Sequence, residues 1–64
     1  LLNKRSAQYV GRVFVVSDAI QNGRGKIRVD DSFWEVSAFE DIPVGVSVKV
    51  LALEHDQIFR VERY

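Results

Sequence analysis

Three sets of residues hold the chemistry open to this chain. The first is Ser, His and Asp, the types from which a hydrolytic triad is built. The single His is His55, flanked by Glu54 and Asp56. That setting predicts a solvated hairpin tip, not a base held beside an activated nucleophile. The second is the acidic pair Glu40-Asp41. Two carboxylates attract Ca²⁺, but the further oxygen ligands of a dedicated site are missing, so a solvated loop is expected. The third is Arg24, Lys26 and Arg28, with Phe33 and Trp34 on the stretch that follows. A basic strand beside aromatics suits single-stranded nucleic acid, with phosphates on the cations and bases on the rings. The same residues also fit a solvated strand face, with Trp34 in the core because it shares parity with Val36.

Composition narrows the choice. There is no Cys, which removes disulfides, thiolate metal sites and Cys nucleophiles. One His cannot build a multi-His metal site. Gly23-Arg24-Gly25 reads as a turn, with no helix after it to cradle a phosphate. The expectation is therefore no catalytic residue, no metal, no cofactor and no small-molecule substrate: this is not an enzyme. Nine Lys plus Arg balance nine Asp plus Glu. Zero net charge argues against general nucleic-acid binding, which draws on uncompensated cations. The balance is uneven along the chain. Residues 1–32 hold six basic and three acidic side chains, net +3; residues 33–64 hold three and six, net −3.

The 64 residues allow one small domain. A chain of this size buries only ~60% of the surface exposed on unfolding. No apolar run approaches the ~18 residues of a membrane span. The Met count is zero, which points to a piece of a longer protein.

The elements that must position these groups are strands. Eleven Val, with Ile, Phe, Tyr and Trp, outweigh Leu and Ala, and branched or aromatic side chains suit a pleated surface. A period of two runs along Val46, Val48, Val50 and Ala52, set against Ser47, Lys49, Leu51 and Leu53, and along Ile27–Val29, Trp34–Val36 and Phe59–Val61. These patterns predict strands near 8–16, 25–30, 32–37, 46–54 and 57–63. Asn22-Gly23 and Pro43-Val44-Gly45 supply turns. Asp30-Asp31 and His55-Asp56 read as two-residue hairpin tips. The first tip sets Lys26 opposite Glu35. The second sets Val50 opposite Val61, Ala52 opposite Phe59 and Lys49 opposite Glu62.

Five short strands hide their edges by closing into a barrel. The expected fold is all-β, a small five-stranded OB-fold-like barrel, with an SH3-like barrel as the alternative. Residues 1–6 form an N-terminal tail and 7–64 the barrel. Gly11, Val13, Val15, Ile27, Val29, Trp34, Val36, Val48, Val50, Phe59 and Val61 make most of the core. Leu51, Leu53 and Ile58 then point outward. They are either covered by the 38–44 segment, through Phe39 and Ile42, or form a binding patch.

The order of motifs carries a family resemblance. Asn3-Lys4-Arg5 precedes Tyr9-Val10-Gly11-Arg12-Val13, and then Asn22-Gly23-Arg24-Gly25-Lys26-Ile27-Arg28-Val29 and Trp34-Glu35-Val36. Pro43-Val44-Gly45-Val46-Ser47-Val48-Lys49-Val50 and Ile58-Phe59-Arg60-Val61-Glu62 follow. Over nearly its whole length the chain resembles the C-terminal soluble domain of NfeD-like membrane proteins. The resemblance implies an OB-fold barrel hung from N-terminal transmembrane helices. It also implies association with stomatin/flotillin (SPFH) membrane proteins; docking on further copies of itself is the other expected mode. Some long members carry a Ser-Lys protease domain, which nothing here matches. In that setting residues 1–6 are a juxtamembrane tail. Lys4 and Arg5 then favour the cytoplasmic side of the cell membrane by the positive-inside rule. The expected function is a non-enzymatic protein-interaction domain, with Arg24, Lys26, Arg28, Leu51, Leu53 and Ile58 as partner contacts. The alternative is a single-stranded nucleic-acid-binding OB domain.

Overall fold

The computed structural model describes residues 8–54 and 57–64. The expected His55-Asp56 tip and the 1–6 tail, with Lys4 and Arg5, lie outside the described residues. Five strands follow in chain order: β1 Val13–Gln21, β2 Arg24–Val29, β3 Ser32–Ser37, β4 Ser47–Glu54 and β5 Ile58–Arg63. They form a closed barrel in the order β1-β2-β3-β5-β4, and β4 pairs back onto β1. Every pairing is antiparallel except β3 with β5. Closure removes the unpaired edges that an open sheet of this size would expose.

The turns follow from their residues. Asn22 and Gly23 sit at φ 54° and 87° between the paired Gln21 and Arg24. Two successive positive φ values match the right-handed twist of a hairpin, and Asn-Gly tolerates them best. The next hairpin turns through Asp30 (φ 55°) and Asp31, with Val29 opposite Ser32 and Lys26 opposite Glu35, as the register argument expects.

The hairpin between β4 and β5 differs from expectation. Val50 pairs with Val61 and Lys49 with Glu62, but Ala52 pairs with Arg60 and Leu53 with Phe59. Glu54 pairs with Ile58, so the connection holds one residue more than the expected tip. A bulge between Val50 and Ala52 absorbs the extra residue. Each bulge reverses the alternation of the strand that carries it. The inward position opposite Phe59 therefore belongs to Leu53, and Ala52 is exposed.

β1 also departs from its expected bounds. Residues 8–11 form a turn, closed by the Arg12 amide donating to the Tyr9 carbonyl at 3.0 Å, and the strand runs on to Gln21. Gly11, Val13 and Val15 are exposed, while Val16 and Ile20 are buried. The run Val13–Val16 is apolar on both faces, so alternation could not choose between them. Two register shifts, at Val16/Asp18 and Asp18/Gln21, break the period of two further along. Gly25 lies where β2 crosses this irregular stretch. A Cβ there would sit 2.7 Å from the Asp18 carbonyl oxygen and from Ile20 Cα and Cγ1. Only Gly permits that approach.

The core comprises Val16, Ile20, Ile27, Val29, Val36, Ala38, Ile42, Val48, Val50, Phe59 and Val61. Ile42 comes from the link between β3 and β4, tied to Ile20 by reciprocal backbone hydrogen bonds of 2.8 and 2.9 Å. Tyr9, Phe14, Trp34, Val46 and Leu53 pack against the core while half-buried. Trp34 stacks on Phe59 at 4.7 Å and 10°, and its indole Nε1 donates to the Gln57 carbonyl at 3.1 Å.

Candidate docking surfaces

The residues singled out in the sequence fall on two separate parts of the barrel. Arg24, Lys26 and Arg28 project from the outer face of β2, exposed. Leu51 projects from β4, and β2 and β4 are not neighbours in the barrel. The six expected contacts do not form one site.

On the β2 side, pairing builds a row across four strands. Val15 is opposite Ser47 on one side and Arg28 on the other, and Arg28 is opposite Phe33. Val15 is 48% exposed and Phe33 63%, so Arg28 stands between two apolar side chains in water. Its Nε donates to the Asp30 carbonyl at 3.1 Å, which orients the guanidinium without neutralising it. Val13 extends the apolar strip along β1. The neighbouring row is electrically mixed. Lys26 lies between Asp18 and Glu35, and Arg24 Nη2 is 3.7 Å from Glu35 Oε2. Acids thus flank two of the three cations, and Arg28 has no ion pair among the described residues. Phe33 and Trp34 lie on opposite faces of β3, so the two aromatics do not make a common stacking platform.

On the β4–β5 side the expected outward trio separates. Leu51 is 41% exposed, whereas the bulge turns Leu53 onto the core, and Ile58 is half-buried. The link does not cover Leu51 as one of the two expected readings had it. Ile42 enters the core and Phe39 is 93% exposed. Phe39 is held from below. Arg60 Cζ lies 4.2 Å from the ring centroid. Arg60 Nε and Nη2 donate to Glu54 Oε2 at 3.0 and 2.9 Å, and Ser37 Oγ donates to Glu54 Oε1 at 3.1 Å. A shallow notch opens beside the ring, lined by Ala38, Phe39, Glu40, Leu51, Val61 and Glu62. Beside a binding patch, the other expected reading made Phe39 a cover. The signal against that was local: Glu40-Asp41 follows it and keeps the link in water.

Among the described residues, no cluster of three or more His, Cys, Asp or Glu could hold a metal ion, and no helix is long and apolar enough to cross a membrane. What the barrel presents is a set of exposed apolar side chains, with Arg28 between Val15 and Phe33 and Arg60 against Phe39. That defines a β-barrel binding module. The family comparison agrees: residues 6–61 match the model for the NfeD-like C-terminal, partner-binding domain, and the chain belongs to that family. It is 51% identical over 53 residues, 83% of its length, to the inner membrane protein YbbJ of Escherichia coli (strain K12). It spans only 35% of that relative's length. Two solved structures share the fold. One is the C-terminal domain of stomatin operon partner protein 1510-C from Pyrococcus horikoshii. Its TM-score is 0.79 at 24% identity, covering 89% of each chain. The other is the soluble domain of a Corynebacterium glutamicum membrane protein implicated in regulation of membrane protease activity. Its TM-score is 0.77 at 20% identity, covering 88% of this chain and 92% of that one. These likenesses bear out the five-stranded OB-fold-like barrel.

Proposed function

We propose that this chain is the non-enzymatic docking barrel of a membrane protein, and that it binds a stomatin/flotillin-class (SPFH) membrane protein in an assembly. Attachment runs through a transmembrane region N-terminal to the barrel, with the barrel on the cytoplasmic side. The relative described as an inner membrane protein and the family's description as partner-binding support this reading. The observation that carries it is the Val15–Arg28–Phe33 row, where a guanidinium with no ion pair among the described residues is framed by exposed apolar groups. Aromatic and Arg side chains of this kind dominate interface energetics. Arg24, Lys26 and Arg28 contact the partner on this face. Leu51 contacts it on the other, and the half-buried Leu53 and Ile58 add the surface they leave accessible. Docking to neighbouring copies of the same barrel would use the same groups.

The test is co-purification of the full-length protein with its membrane partner. Arg24→Glu with Arg28→Glu is expected to abolish association, and Leu51→Asp to weaken it. Association that survives deletion of residues 8–64 would refute the docking role.

A further inference from the structure

The notch beside Phe39 is distinct from the β2 face, and its chemistry is of the opposite sign. A ring that is 93% exposed forgoes burial that a barrel this small depends on for stability. The ring is nevertheless held in place. The chain of contacts from Ser37 through Glu54 and Arg60 places a guanidinium against one face of Phe39 and leaves the other surface open. Holding an anchor in its bound geometry cuts the ordering cost of binding. Ala38 and Val61 form an apolar floor, and Phe39 and Leu51 the walls. The rim is acidic. Glu40 is occupied by Arg63 at 3.4 Å. Glu62, paired in register with Lys49, makes no ion pair among the described residues.

We propose that this notch takes one aliphatic side chain from a basic segment of the partner, with the segment's cation meeting Glu62. The proposal rests on the docking role above and adds a second contact point of defined chemistry. The occupant is apolar because floor and walls are apolar, and basic because the two rim side chains that carry charge, Glu40 and Glu62, are carboxylates and Glu62 is in no ion pair among the described residues. Mixed charge across the two faces fixes the orientation of a partner, since a reversed approach sets like charges together.

The test titrates the isotope-labelled chain with a ten-residue peptide of Lys, Leu and Gly, and with the same peptide carrying Glu for Lys. The expected result is saturable shifts of the Phe39, Leu51 and Glu62 amides with the Lys peptide alone. Phe39→Ala should weaken that binding roughly tenfold or more, the scale of losing a central anchor. Glu62→Gln should weaken it several-fold and flatten its salt dependence. Both substitutions are at exposed sites, and the spectrum of each variant reports whether the barrel is intact. Unchanged affinity in Phe39→Ala, or equal binding of the Glu peptide, would overturn the assignment. So would concentration-dependent shifts at Phe39 without peptide, because the occupant would then be a second copy. If the full-length protein co-purifies with its partner but the Lys peptide misses the notch, this inference fails and the docking role stands. If co-purification itself survives loss of the barrel, the docking role fails.

Discussion

Replacing Gly25 by Ala adds one methyl carbon where β2 crosses the irregular half of β1. The added Cβ would lie 2.7 Å from the Asp18 carbonyl oxygen, from Ile20 Cα and from Ile20 Cγ1. Carbon atoms rest about 3.5–4.0 Å apart, so the strands must separate by on the order of 1 Å. Two of the three opposing atoms are backbone, and no rotamer change relieves them. Overpacking costs ~1–3 kcal/mol, and backbone obstruction puts this case near the upper end. A domain of this length has a total stability of roughly 3–10 kcal/mol. A loss of about 3 kcal/mol would lower Tm by roughly 12–24 °C. The assay is urea and thermal denaturation followed by fluorescence of Trp34, the single Trp, stacked on Phe59 and sensitive to barrel opening. Gly45→Ala is the comparator. Its φ is +93° but nothing lies within 4 Å of the added Cβ, so only the backbone term of ~1–2 kcal/mol for a side chain in the left-handed region applies. If Gly25→Ala stays within about 0.5 kcal/mol of wild type, or costs less than Gly45→Ala, the close-approach reasoning is wrong.

Two further outcomes are expected. Ser17 Oγ is buried without a hydrogen-bond partner among the described residues, so Ser17→Ala should leave stability unchanged or raise it by about 1 kcal/mol; a clear loss in the same urea assay would show that the hydroxyl is satisfied. Arg60→Lys retains the charge but cannot give the paired hydrogen bonds to Glu54 or lie flat beneath Phe39. It should cost roughly 1 kcal/mol, because the pair is only partly buried, and should broaden or shift the Phe39 ring resonances. Unaltered ring signals would mean that Arg60 does not hold the aromatic.

The strands were most legible where one face is buried and the ladder is regular. β2 and β3 alternate cleanly, and their two-residue turn sets a register that the pairing reproduces from Val29–Ser32 to Arg24–Ser37. The core residues Ile27, Val29, Val36, Val48, Val50, Phe59 and Val61 were readable for that reason. β1 was not. Val13–Val16 offers an apolar residue to both sides, and the pairing partners on β2 and β4 decide which side faces in. Leu53 was misplaced by the same physics. One extra residue in the β4–β5 connection is compensated by a bulge three residues away, and no local pattern reports such compensation. The docking surfaces were legible as residue types only. Arg24, Lys26 and Arg28 are alternate residues of one strand, and the sequence already puts them on one face. Their acidic neighbours Asp18 and Glu35 come from other strands.

By itself the sequence determined a cysteine-free, charge-balanced, five-stranded domain, most of its turns, most of its core and its resemblance to a family. The strands, turns and core rest on local chemistry: φ preference, side-chain branching and the period of two; the family rests on a resemblance in the order of motifs. Only the tertiary structure decided the parallel closure of β3 on β5, the face of β1 that is buried and the separation of Leu51 from Leu53. It alone set Arg28 between Val15 and Phe33 and left Phe39 outside, supported by Arg60. These features depend on which strands meet and on where bulges shift the register, and both are settled by packing between residues far apart in the chain.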